Sequence, residues 1–131
     1  IVTSKLFSSI KQILKNEINS ISFGDLSIIR DWGWAPSYVE AIFKMLQTDC
    51  PCDYIIASGK SYSLYDLVKK AFDLSGLGNC EDFIKYQQSE LRPNEIKTSY
   101  LNPLKAKIDL NWENKYNFDE LVTKLLKDEL F

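Results

Sequence analysis

The 131-residue chain contains no histidine. That excludes Ser–His and Cys–His nucleophilic arrangements. A zinc site without histidine would need a four-ligand set, and this chain does not supply one. Three cysteines cannot all pair within one chain. Cys50 and Cys52 flank Pro51 and are too close for an easy disulfide, and Cys80 stands alone, so reduced thiols in a cytoplasmic protein are expected. Glycine is scarce, with five residues, and no Gly-x-x-Gly-x-x-Gly fingerprint follows a strand-like run, so no dinucleotide phosphate site is visible. Positive excess is also missing: 16 basic against 18 acidic residues give a net charge of −2, which argues against nucleic acid as a partner. No apolar run approaches the roughly 20 residues that span a bilayer, and no signal peptide is visible, so no membrane partner is expected. The chain also lacks an initiator methionine: it opens at Ile1, already inside a helical pattern, and reads as the cut end of a longer protein.

What is present is 45% apolar residues, enough for one core and one domain over residues 1–131. Val2, Leu6, Ile10, Ile13 and Leu14 recur at three-four spacing and predict an amphipathic helix over residues 2–18. Residues 21–23 alternate like a short strand, Gly24-Asp25 turns, and residues 26–32 read as a second extended segment. Ser37 and Glu40 have capping-box spacing for a helix whose inner face would be Tyr38, Ile42, Phe43 and Leu46. Residues 53–58 are apolar and β-prone, closed by Gly59, and predict a buried strand. Ser63 and Asp66 predict a second capping box, for a helix with Leu64, Leu67, Val68, Ala71 and Phe72 inward and Gly76 as its stop. Residues 81–88 read as extended, residues 92–95 as a turn, and residues 102–107 as a short helix with Pro103 at its first position. Asn117 and Glu120 form a third box for a helix over Phe118–Leu130, with Leu121, Leu125 and Leu130 inward. So few short strands cannot build a large parallel sheet. The fold class is a small mixed α/β unit that needs a partner lobe.

Four segments carry a resemblance, and they fall in a fixed order. They are Val2-Thr3-Ser4-Lys5; Arg30-Asp31-Trp32-Gly33 with Tyr38-Val39-Glu40-Ala41; Tyr54-Ile55-Ile56-Ala57-Ser58-Gly59 with Val68-Lys69-Lys70-Ala71-Phe72; and Arg92-Pro93-Asn94-Glu95-Ile96, followed by Asn102-Pro103-Leu104-Lys105-Ala106 and Asn111-Trp112. Over nearly its whole length the chain resembles the carboxyl-terminal part of GDP-mannose 4,6-dehydratases, which are extended short-chain dehydrogenases. The resemblance implies the substrate-binding lobe of an NADP-dependent lyase. The cofactor and the catalytic groups would belong to a Rossmann lobe that this chain lacks. It further implies a nucleotide-sugar substrate, GDP-mannose first, and a parent enzyme that is a homodimer or homotetramer. The chain alone would be inactive.

Residue by residue, the resemblance places Arg30 and Arg92 around the nucleotide and diphosphate, where guanidinium forks suit phosphate oxygens. Glu95 would accept from a ribose hydroxyl. Val2 and Lys5, three apart on one helix face, would meet the nucleotide end. Trp32, Trp34 and Trp112 read as core or lobe-interface aromatics. Trp34 stands where the resembling enzymes usually have histidine, Ser37 replaces an acidic cap, and Leu91 replaces an aromatic; these departures leave the sugar and the base open. Tyr65 and Lys69 have the Tyr-x-x-x-Lys spacing of a short-chain dehydrogenase catalytic pair, but on the helix assigned to the wrong lobe, so the match reads as coincidence. Two alternatives stay open: the same lobe of a related epimerase or reductase, or a non-catalytic interaction module derived from one.

Overall fold

The structure, a computed structural model, describes residues 2–91 and 94–130, the side chains of the last three excepted. Helix α1 (Val2–Leu14) is followed by strands β1 (Ile21–Phe23) and β2 (Ile29–Asp31), helix α2 (Ala35–Met45), strand β3 (Ser61–Ser63) and helix α3 (Leu64–Ser75). A 3-10 turn (Cys80–Asp82), strand β4 (Ile84–Tyr86), a second 3-10 turn (Gln88–Glu90) and helices α4 (Leu104–Leu110) and α5 (Phe118–Leu130) complete the described chain. β1 pairs in parallel with β4, and β2 pairs antiparallel with β3, with Arg30 opposite Tyr62. A parallel bridge joins Ile29 to Thr98. The expected small mixed α/β unit is what the chain forms, and among the described residues no helix is long and apolar enough to cross a membrane.

Two apolar clusters hold it together. The larger gathers the buried faces of α1, α3 and α5 with β1 and Leu26. α3 forms as its sequence predicts. Ser63 Oγ accepts from the Asp66 amide, the Asp66 carboxylate accepts from the Ser63 amide, and Gly76 ends the helix in the left-handed region at φ 80°. Its five predicted apolar residues are all buried. The box at the start of α5 is also present, with the Asn117 amide 2.8 Å from Glu120 Oε2 and the Glu120 amide 2.9 Å from Asn117 Oδ1. Leu121, Val122 and Leu126 of α5 are buried and Leu125 is half-buried, while the Leu130 side chain lies outside the described residues.

The ends of α1 and α4 differ from expectation for local reasons. α1 stops at Leu14, four residues early. Asn16 takes φ 59°, and its amide and that of Glu17 reach back to the carbonyls of Ile13 and Gln12, closing a Schellman motif. Phe7 belongs to its buried face, whereas Leu14 is exposed. α4 begins one residue late, with Pro103 as the capping residue and Asn102 Oδ1 accepting from the Leu104 amide. It continues to Leu110 because no breaker intervenes before Asn111, which caps it at φ 47°. Residues 81–88 are extended only in β4, since the 3-10 turn takes the segment before it.

α2 and residues 53–58 correct the sequence reading more substantially. α2 starts at Ala35 with Trp34 as its cap, because Pro36 supplies a preset φ in the first turn. Ser37 is therefore inside the helix and does not cap it. Its hydroxyl is buried without a partner, and its carbonyl accepts from Trp112 Nε1 at 3.0 Å. Glu40 pairs with Lys115 instead of closing a box. The inner face is Ser37 and Ala41, flanked by Tyr38 and Met45, while Ile42, Phe43 and Leu46 are 52%, 60% and 80% exposed. Small residues win this face because Ala41 meets Ala106 of α4 and the Trp112 ring in the second cluster, where larger side chains would not fit. Ser37→Ala is accordingly expected to leave stability unchanged or raise it by up to about 1 kcal/mol. A capping serine would cost about 1 kcal/mol when removed. The midpoint of denaturant unfolding separates the two.

Residues 53–58 form no strand. Burial alternates along them, with Tyr54 and Ile56 against the second cluster and Ile55 exposed, yet no described segment pairs with their backbone. A strand is defined by its partner, and the apolar pattern alone cannot supply one.

Candidate functional site

Each residue of the Arg30-Asp31-Trp32-Gly33 run has a distinct tertiary role. Arg30 donates to Glu95 Oε1 at 2.7 Å and to the carbonyls of Ile29 and Ile96 at 2.7 and 2.6 Å. The Asp31 carboxylate accepts from the amides of Ser58 and Gly59 at 2.9 and 2.8 Å, with the Tyr38 hydroxyl farther off at 3.4 Å. Trp32 Nε1 donates to the carbonyl of Tyr62 on β3 at 3.2 Å. Gly33 leaves room for Tyr38: a Cβ there would sit 1.8 Å from the tyrosine oxygen. Burial, then the Asp31 charge, push the Tyr38 phenol up to about 12, so it stays a donor at neutral pH.

Arg30 faces a cavity of about 530 Å³, the size range of sites that hold a drug-sized ligand. Val2, Lys5, Arg30 and Glu95 all line it, although 65 positions separate the last two. Arg92, the fifth residue named from the sequence, lies outside the described residues. Sequence reasoning missed Asp25, Glu90 and Lys97, which line the same cavity. Lys5 pairs with Glu90 at 2.8 Å and Lys97 with Asp25, so carboxylates face Lys5, Arg30 and Lys97. These pairs tie residues 87–91 and 94–99 across the cavity. At one end the Gln87 amide bonds the Phe23 carbonyl, and at the other Ile29 bridges to Thr98. Gly24 allows the close crossing, since a Cβ there would lie 2.6 Å from the Glu90 carbonyl oxygen.

The Asp25 carboxyl is held down to about 2 by its hydrogen bonds from Lys97 and Ser27, against an ordinary value of 3.8. A depressed carboxylate stabilises the fold above its unfolded value and loses that contribution as pH falls through the folded one. The Lys97–Asp25 tie is therefore expected to be complete above about pH 4 and lost toward pH 2. Acid unfolding of Asp25→Asn should lack that part of the pH dependence; an unchanged acid limb would contradict the assignment.

β3 runs directly into α3, whose first turn carries Asp66, and α5 opens with Asp119 and Glu120. Carboxylates at these helix starts oppose phosphate. A hydrogen bond to Glu81, with the Cys80 and Glu81 charges and desolvation adding to it, pushes the Tyr65 phenol up to about 12.

Solved structures share this architecture. RMD from Pseudomonas aeruginosa, complexed with NADPH, matches at TM-score 0.86 with 15% identity, over 99% of this chain and 42% of its own. The dTDP-glucose 4,6-dehydratase of Bacillus anthracis, in complex with NAD, matches at 0.77 with 20% identity, over 95% of this chain and 38% of its own. The chain thus has the fold of the matched part of each of these structures. A family model described as GDP-mannose 4,6 dehydratase matches residues 1–125. The GDP-mannose 4,6 dehydratase 2 of Caenorhabditis elegans is 34% identical over 144 residues, and the human GDP-mannose 4,6 dehydratase is 33% identical over 141. The chain belongs to the GDP-mannose 4,6-dehydratase family. It spans 38% of the length of these two relatives.

Proposed function

We propose that residues 1–131 are the nucleotide-sugar-binding lobe of an NADP-dependent GDP-mannose 4,6-dehydratase, a cytoplasmic lyase that works as a dimer or tetramer. The observation that carries this reading is the convergence of Arg30, Lys5, Val2 and Glu95 on one cavity in a chain of this family. Arg30 spends three donors on Glu95 and two carbonyls. A guanidinium has five, so a diphosphate oxygen can be met by the remaining N–H groups or by exchange with Glu95. Arg92 adds a second guanidinium to the set. Glu95, once exchanged, is an acceptor for a ribose hydroxyl, and Val2 with Lys5 meets the base.

The reacting groups and the cofactor lie in a second lobe outside these residues, so the chain alone is inactive. The exposed Ile42, Phe43, Leu46 and Ile55 are the apolar surface on which that lobe docks. The fold alone does not select the base, since dTDP- and UDP-sugar enzymes share it; the family assignment favours GDP. The test is turnover by the intact protein with NADP, followed by mass spectrometry. Loss of one water from GDP-mannose, with UDP- and dTDP-glucose unchanged, is expected. Conversion of UDP-glucose in preference, or of none of the three, would overturn the reading.

A further inference from the structure

The two sequence-distant ion pairs around Arg30 and Lys5 have different neighbours, and the difference bears on how a base is read. Arg30–Glu95 is set among backbone carbonyls. Lys5–Glu90 is set among apolar groups. Val2 precedes Lys5 by one turn, Leu91 follows Glu90, both line the cavity, and the Lys5 ammonium lies 5.7 Å from the Phe23 ring centroid. Glu90 Oε1 accepts from Lys5 at 2.8 Å and from the Ser22 hydroxyl at 3.3 Å. Its main chain is fixed against β1 by the close approach at Gly24. The pair is thus a cation and a carboxylate side by side, positioned from the backbone, with apolar residues next to each.

We propose that Lys5 and Glu90 together read the guanine edge. The Lys5 ammonium donates to O6, the Glu90 carboxylate accepts from N1–H and the 2-amino group, and Val2 and Leu91 lie against the faces of the ring. Guanine presents an acceptor followed by two donors along one edge, which matches an ammonium beside a two-oxygen acceptor. Uracil and thymine present acceptor, donor, acceptor, so one carbonyl would face the carboxylate. Adenine presents a donor to the lysine. Both side chains are more than a third exposed, so solvent screens their mutual attraction. This inference rests on the cavity being the nucleotide site and adds Glu90 as the residue that selects the base.

The test compares GDP, inosine diphosphate and UDP by calorimetry on the intact protein, as wild type, Glu90→Gln and Glu90→Ala. Inosine diphosphate keeps O6 and N1–H and lacks the 2-amino group. Wild type is expected to bind GDP about tenfold more tightly than inosine diphosphate. Both variants should close that gap, and UDP affinity should hold or rise, since the carboxylate that faces its carbonyl is gone. Equal wild-type affinities for GDP and inosine diphosphate, a gap that survives in the variants, or an equal loss for GDP and UDP would each overturn the proposal. Failure of wild type to bind any of the three would instead remove the nucleotide site itself.

Discussion

Trp112→Ala is expected to remove about 3–5 kcal/mol of stability, the range for deleting a fully buried aromatic side chain. Trp112 is 1% exposed and is the largest side chain of the second cluster, packed with Ala41, Ala106 and Leu110. Those neighbours are small or already packed, so the cavity left behind would not collapse. The substitution would also leave the Ser37 carbonyl without its indole donor in a buried position. Its effect should reach the candidate site, because Trp112 meets Tyr38 edge to face at a centroid distance of 6.0 Å. Tyr38 in turn approaches Asp31, whose carboxylate holds the amides of Ser58 and Gly59. Trp112→Phe keeps a six-membered ring and loses the indole donor with the rest of the ring volume, so it should cost less. Denaturant unfolding monitored by circular dichroism checks both variants. A Trp112→Ala loss below about 1 kcal/mol, the range of an ordinary surface change, would contradict the packing described.

Arg30→Ala is expected to weaken GDP-mannose binding to the intact protein about 100-fold. The guanidinium is only a quarter exposed and carries charge-assisted hydrogen bonds, each worth roughly 1.5–3 kcal/mol when it meets a charged partner. Two effects combine. A phosphate loses its fork, and Glu95 and the Ile96 carbonyl lose the donor that ties them to the cavity wall. Arg30→Lys separates them, since it keeps the charge and loses the planar geometry. Binding by the lysine variant should fall between wild type and alanine. Affinities from calorimetry provide the check, and an alanine variant with wild-type affinity would exclude Arg30 from the site.

Local signals were legible in the sequence and tertiary ones were not. α3 could be read from end to end because its box, apolar stripe and glycine stop all lie within a few residues of one another. Ser37 misled because Ser-x-x-Glu spacing was weighed without Pro36, which had already started the helix. The inner face of α2 was misjudged because its large apolar residues point outward and its small ones meet Trp112. Residues 53–58 have a strand's alternation, but the pairing that would make them a strand is not formed by any described segment.

At the cavity, Val2, Lys5, Arg30 and Glu95 were readable from the family resemblance, with helical spacing adding that Val2 and Lys5 share a face. Asp25, Glu90 and Lys97 were not. Their partners stand 72 and 85 positions away, and nothing in local spacing marks such ion pairs. The structure brings Val2, Lys5, Arg30 and Glu95 onto one cavity; whether that cavity holds a nucleotide is the point on which the account stands.

The most direct measurement is a crystal structure of the intact protein with GDP-mannose. The nucleotide is expected in the cavity that Lys5, Arg30, Glu90 and Glu95 line, with a diphosphate oxygen within hydrogen-bonding distance of Arg30. Nucleotide bound elsewhere, with Arg30 still paired only to Glu95 and its two carbonyls, would contradict it.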